Sequence, residues 1–152
     1  MKCLITSYDH FGRGITYIDG KITFVKGARI GDEVEIDIVK DKKKYSIGKV
    51  KEPKNYSSVF CPYYYACGGC QIEQMTYQEQ LEFKKKKALN ILTRYAGINL
   101  EKIDIIPSQE KYYRNKVVFH IGEDKIGFYE EESNKLLDID KCYLVNDKIN
   151  EI

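Results

Sequence analysis

Apolar and polar residues alternate with a period of two over Glu33-Val-Glu-Ile-Asp-Ile-Val39, the pattern of a strand with one wet face and one buried face. Two β-branched and aromatic runs, Gly14–Ile18 and Lys21–Val25, flank Asp19-Gly20, a pair that predicts a tight type I′ hairpin. The polar run Lys40–Lys44 predicts a turn, and Tyr45–Val50 a further strand. Five short strands with glycine-rich turns are expected within residues 1–52, and such a segment closes most simply into a small barrel.

The pattern then changes. Residues 53–75 hold Pro53, Pro62, Gly68, Gly69 and three consecutive tyrosines at 63–65, which predicts an ordered loop rather than a helix or strand. Thr76-Tyr-Gln-Glu79 has the form of a capping box, so a helix should start there, run to about Tyr95 and end at Gly97 in a left-handed conformation. Leu81, Ala88, Leu92 and Tyr95 sit at helical spacing and are the expected buried stripe, while Lys84–Lys87 spread around the helix as solvated lysines. Farther on, residues 112–121 read as a strand, with Val117, Phe119 and Ile121 on one face. Residues 126–129 run back as a second strand, and Leu136, Leu137 and Ile139 lead towards Cys142 as a third. The chain therefore reads as β-rich α+β: a barrel over 1–52, a cysteine-rich loop over 53–75, and a helix with an incomplete antiparallel sheet over 76–152.

Charge sharpens this picture slightly. The net charge is only +2, but residues 1–120 carry +7 and residues 121–152 carry −5. A moderately basic first part suits contact with phosphate without identifying it. The N-terminus lacks the apolar core of a signal peptide, and no apolar stretch nears the roughly 20 residues that span a bilayer. A soluble, cytoplasmic, monomeric protein without membrane contact is expected.

The cysteines change it more. An odd count of five does not suit a disulfide framework. Cys61, Cys67 and Cys70 form C-x5-C-x2-C, and Cys142 is available as a distant fourth thiolate. Soft thiolates bind zinc or iron–sulfur clusters, and four complete either site. Gly68-Gly69 lets the backbone wrap closely and point amides at sulfur. Three clustered ligands with a remote fourth favour an iron–sulfur cluster over zinc, without closing the choice. Cys3, in a predicted strand, is read as a small buried hydrophobe, and His10 and His120 as structural residues.

With these residues assembled, the sequence resembles the bacterial family of RNA (uracil-5-)-methyltransferases that carry a TRAM domain and a 4Fe–4S cluster, most closely its 23S rRNA branch. Asp9-His-Phe-Gly-Arg-Gly-Ile15, Val25-Lys-Gly-Ala28 and Gly31-Asp-Glu-Val34 are similar to the TRAM pattern, an OB-like RNA-binding barrel. Cys61, Cys67, Cys70 and Cys142 match the family's cluster ligands, and Tyr113–Lys116 with Val117–Phe119 resembles its central β-domain. The resemblance implies that Phe11, Arg13, Lys26, Arg29, Arg114 and Lys116 contact a single-stranded or looped RNA, with rRNA favoured over tRNA. It implies that the cluster staples the loop to the central sheet. It also implies a following domain that binds S-adenosylmethionine and carries the catalytic cysteine and base. No counterpart of those residues occurs here, so this chain is expected to be an inactive N-terminal portion of the enzyme.

Two rival readings differ in class. One is a free-standing TRAM-type RNA-binding protein with a structural four-cysteine metal site. The other is a radical S-adenosylmethionine enzyme, which the C-x5-C-x2-C spacing and the fourth cysteine disfavour because those enzymes use C-x3-C-x2-C.

Overall fold

The computed structural model describes residues 1–151; Ile152, at the end of the expected third segment, lies outside the described residues. Two compact units are formed. The first comprises residues 1–58 and 71–106, and the second residues 59–70 with the chain from Pro107 onward. The helix thus belongs with the barrel, and the three clustered cysteines belong with the later sheet.

In the first unit, β1 (Lys2–Leu4), β2 (Ser7–Tyr8), β3 (Gly14–Ile18), β4 (Lys21–Lys26), β5 (Glu33–Asp41) and β6 (Tyr45–Val50) form one curled sheet in the order β1-β5-β6-β4-β3-β2. The predicted hairpin is present: Ile18 pairs with Lys21, and Asp19 and Gly20 both take positive φ, as a type I′ turn requires. The two edge strands, β1 and β2, are successive parts of one bent segment. Its first half pairs with β5 and its second half with β3, and between them Ile5 N–H donates to Asp32 O and Thr6 N–H to Ile15 O. Both edges of the sheet are therefore held by the same stretch of chain, which reconciles six strand segments with the five strands expected. A bulge between Ile38 and Lys40 adds to the curl, and Val39 at that point is exposed.

The curl encloses Ile5, Val25, Ala28, Val34, Ile36 and Val50, all nearly or wholly removed from water. Each such aliphatic side chain larger than alanine contributes about 1.5–3 kcal/mol of transfer free energy. Gln74 and Met75, from the segment after the cysteines, are buried in the same unit.

The helix α1 (Tyr77–Ala96) has both predicted ends. Thr76 N–H donates to Glu79 Oε2 (2.7 Å), Glu79 N–H donates to Thr76 Oγ1 (3.3 Å), and Gly97 caps the other end in the left-handed region. The expected stripe is only partly borne out. Leu81 is buried and Ala88 and Leu92 are half-buried, but Tyr95 is 79% exposed. Packing of α1 on the barrel is seen in its first turns, where Phe83 meets Tyr8 edge-on at 6.2 Å, so the later turns keep their apolar residues in water.

The second unit holds β7 (His120–Ile121), β8 (Ile126–Tyr129) and β9 (Leu136–Asp138), an antiparallel three-stranded sheet, followed by the short helix α2 (Asp147–Asn150). The expected strand over 112–121 is confined to its last two residues. Residues 112–114 instead bond beside 143–146: Tyr112 N–H donates to Tyr143 O, Arg114 N–H to Leu144 O, and Asn146 N–H to Arg114 O. That alternative ladder takes the backbone groups a longer β7 would have used, and Ile121 is left 80% exposed.

Gly12 is tightly enclosed and in the left-handed region. Its φ is +86°, and a Cβ there would stand 2.2 Å from Ile72 Cγ2. Gly12→Ala should lower the stability of the first unit by about 1–3 kcal/mol, from left-handed strain and displacement of Ile72. Urea unfolding followed by circular dichroism checks this; an unchanged midpoint would refute it.

Candidate nucleic-acid interface and metal centre

The loop from β2 to β3 is built on a buried carboxylate. Asp9 Oδ1 accepts from Phe11 N–H (2.9 Å) and Arg13 N–H (2.8 Å), and Oδ2 accepts from Arg13 Nε (2.8 Å) with the other guanidinium nitrogen at 2.7 Å. This bidentate arrangement fixes the guanidinium, which lies 4.5 Å from the Phe24 ring centre and 5.3 Å from that of Phe11. Phe11 itself is half exposed and stacks on His10 at 3.8 Å. Of the two predicted RNA contacts here, Phe11 is available to a ligand as an open ring. Arg13 is chiefly a strut.

Arg29 is a strut as well. Its Nε donates to Gln74 O (2.5 Å), its guanidinium donates to Ser58 Oγ (2.9 Å), and it lies 4.4 Å over the Tyr56 ring. Its own N–H donates to Asp32 Oδ2 (2.6 Å), and Asp32 also accepts from Lys54 Nζ (2.7 Å) and from the Tyr56 hydroxyl. Burial pushes the Asp32 carboxyl up, but these donors outweigh it and hold the group below its ordinary value of 3.8. Lys26 is only 8% exposed, so its ammonium is not presented to solvent as a free phosphate contact would be.

The sequence reading missed an open aromatic face on the barrel. Strand register places Tyr17, Ile22 and Tyr45 side by side across β3, β4 and β6, and Ile15, Phe24 and Ile47 in the next row. The intervening residues Thr16, Thr23 and Ser46 point inward and are buried, so these two rows share the opposite face; on it Tyr17 and Tyr45 are exposed, Ile15, Ile22 and Phe24 are half-buried, and Ile47 is buried. Tyr17 is 63% exposed and Tyr45 36%, and Phe24 meets Tyr45 edge-on at 5.8 Å. Period-two alternation could have found them. It places Tyr17 opposite in face to Thr16, but small polar residues on the inner face of β3, β4 and β6 disguise which side is the core.

All four candidate thiolates fall in the second unit, and no disulfide joins any cysteine among the described residues. Residues 66–68 pair with 129–131, at and just past the end of β8: Gly68 N–H donates to Tyr129 O, Glu131 N–H to Ala66 O, and Cys67 is bridged to Glu130. Cys67 is buried, and Gly69 N–H points at its sulfur from 3.3 Å. The Tyr63 hydroxyl donates to Asp140 Oδ2 (2.9 Å) and accepts from Asp140 N–H (3.2 Å). Phe60 and Tyr143, the neighbours of Cys61 and Cys142, have ring centres 6.2 Å apart. Cys142 is clasped by Asn150, which accepts from its N–H (2.9 Å) and donates to its carbonyl (3.1 Å). The segments bearing Cys61, Cys67 and Cys142 are thereby tied into one small unit, with Cys70 three residues from Cys67. Among the described residues no three His, Cys, Asp or Glu side chains form a group that could hold a metal ion. The four cysteines have the soft-donor chemistry of a thiolate-bound group and share one unit, while their side chains are not grouped as a ligand shell.

Cys3 stands apart in β1, half-buried against Val34 O, and burial raises its thiol above the usual range. Arg114 and Lys116 are exposed; the backbone of Arg114 is held at 144–146, with its guanidinium 5.9 Å from the Tyr113 ring. His120 stacks on Tyr129 at 4.3 Å.

A carboxyl held below its ordinary value stabilises the folded chain above that value and loses the contribution as pH falls through the lowered pKa. Asp32→Asn should therefore reduce stability near neutral pH and flatten the acid limb below about pH 4. Urea midpoints measured across that range test this; an acid limb as steep as the parent's would refute it.

A family model described as the TRAM domain matches residues 1–51. Over 97% of its length the chain is 38% identical to an uncharacterised RNA methyltransferase of Clostridium acetobutylicum, of which it covers 35%. It is 35% identical over its whole length to another from Aquifex aeolicus, covering 37% of that protein. The solved tRNA (uracil-54, C5)-methyltransferase of Pyrococcus abyssi, in complex with S-adenosyl-L-homocysteine, matches 99% of this chain with a TM-score of 0.68 and 27% identity. The match covers 34% of that enzyme, so the chain spans about a third of the length of the relatives it resembles. The chain thus carries a TRAM domain at its start, and its likeness to these RNA methyltransferases extends through both units.

Proposed function

We propose that this chain is the RNA-binding and iron–sulfur portion of an S-adenosylmethionine-dependent RNA uracil-C5 methyltransferase, acting on 23S rRNA in the cytoplasm as a monomer. The observation that carries the reading is the 38% identity over almost the whole chain to an RNA methyltransferase about three times as long. The likeness to a uracil-C5 enzyme holding S-adenosyl-L-homocysteine supports the choice of base, reaction and methyl donor. Methyl transfer is assigned to a separate domain that binds S-adenosylmethionine, and the task of this portion is to hold the RNA. A second reading, tRNA as substrate, is favoured by that same solved relative, which is named for uracil 54 of tRNA.

Cys61, Cys67, Cys70 and Cys142 would hold a 4Fe–4S cluster. When bound, the cluster supplies iron–thiolate bonds that lock residues 59–70 to the turn at Cys142. The unit's own residues do the rest: Tyr63–Asp140 and Phe60–Tyr143 bring the two segments together, and the Gly69 amide neutralises charge on sulfur. Phe11, with Arg114 and Lys116 on the second unit, contacts RNA, while Arg13, Lys26 and Arg29 shape the barrel that presents it.

Anaerobic purification with iron, sulfide and zinc analysis tests the cluster. About four irons and four sulfides per chain are expected, lost in Cys142→Ala together with protease protection of residues 59–70. Stoichiometric zinc without sulfide would overturn the assignment in favour of a structural zinc site. Competition between 23S rRNA and tRNA for the chain decides the substrate class.

A further inference from the structure

We propose that the outer face of β3, β4 and β6 is a stacking platform for unpaired RNA bases, formed by Tyr17, Phe24 and Tyr45, with Lys42–Lys44 holding the phosphates. The proposal rests on the reading that this chain binds RNA, and it names the residues and the form of RNA.

The face is unusual for a sheet surface in water. One row, Tyr17–Ile22–Tyr45, carries no charged side chain; the next is Ile15–Phe24–Ile47, in which Ile47 is buried, and beyond it Lys26 pairs with Lys49. Solvent-facing strand positions are ordinarily polar, so the exposed rings of Tyr17 and Tyr45, flanking the half-buried Ile22, call for an occupant. Neighbouring strands lie about 4.8 Å apart, which sets Tyr17 and Tyr45 about 9.6 Å from each other, room for separate bases at each ring.

The occupant is specified by what borders the rows. Lys42, Lys43 and Lys44 are exposed and directly precede Tyr45, in a turn closed by Lys42 N–H donating to Tyr45 O (2.9 Å). Three ammonium groups at one end of an aromatic row complement a polyanion whose bases are apolar on their faces. Arg13 lies between Phe24 and Phe11 and is held on Asp9, so beyond Phe24 the face is continued by a cation locked in place and then by a half-exposed ring. A duplex hides its base faces by stacking and presents phosphate, sugar and base edges, so it could use the lysines but could not stack on the rings. An unpaired strand uses both.

The intact chain is titrated by fluorescence anisotropy with labelled oligouridine and with an RNA duplex of equal length. Expected is preference for the single strand, with Tyr17→Ala and Tyr45→Ala each weakening it about 5- to 100-fold. Tyr17→Phe and Tyr45→Phe should bind as the parent does, because they keep the ring. Removing the three lysines should flatten the salt dependence, which the tyrosine substitutions leave alone. Far-ultraviolet circular dichroism verifies folding of each variant. Binding that ignores both alanine substitutions, or that favours the duplex, overturns this proposal and leaves the RNA-binding reading standing. A parent chain that binds neither RNA overturns both. A self-associating parent chain made monomeric by Tyr17→Ala would assign the face to a second copy instead.

Discussion

Two residues three apart, Arg29 and Asp32, tie the chain that follows the barrel back onto it. Arg29 reaches Ser58 and Gln74, and Asp32 receives Lys54 and Tyr56, so both sides of the departing and returning chain are bound to one turn. Few apolar contacts secure residues 53–58, and charge-assisted hydrogen bonds take their place. The burial of Gln74 and Met75 and the start of α1 all follow from where that turn holds the returning segment.

This architecture assigns the positive charges of the barrel to two kinds of work. Arg13 and Arg29 are locked by carboxylates, a carbonyl and aromatic rings, and Lys26 is buried. The exposed cations include the lysines of the β5–β6 turn, beside the uncharged row Tyr17–Ile22–Tyr45. A surface of that kind gains affinity from ring contacts, which salt does not screen, and uses charge mainly to attract and orient. Guanidinium groups that look like phosphate ligands in a sequence are here the reason the aromatic residues stand where they do.

The second unit is organised differently. Its cysteine-bearing loop buries one large ring, Tyr64, and is otherwise fixed by edge pairing with β8 and by contacts to the turn at 140–143. Lys111 over Phe60 and Lys141 over Tyr112 add cation–π contacts around the same turn. A loop with so little apolar burial gains much from a crosslink between its two halves, which is the physical case for thiolates at these positions.

Local chemistry was legible without the fold. The Asp19-Gly20 turn, the capping box at Thr76 and the Gly97 stop depend on residues close in sequence, and all formed as their side chains dictate. What needed tertiary structure was every question of partnership. Residues 112–114 have the composition of a strand in β7, yet 143–146 reach their backbone groups first. Tyr95 continues a helical stripe, but nothing among the described residues covers it. Arg13 and Arg29 read as open cations until Asp9, Asp32 and Gln74 are placed beside them. A sequence sets what each side chain can bond to and what its neighbours along the chain will do; only the folded chain decides which distant group arrives, because that choice depends on how the whole sheet curls.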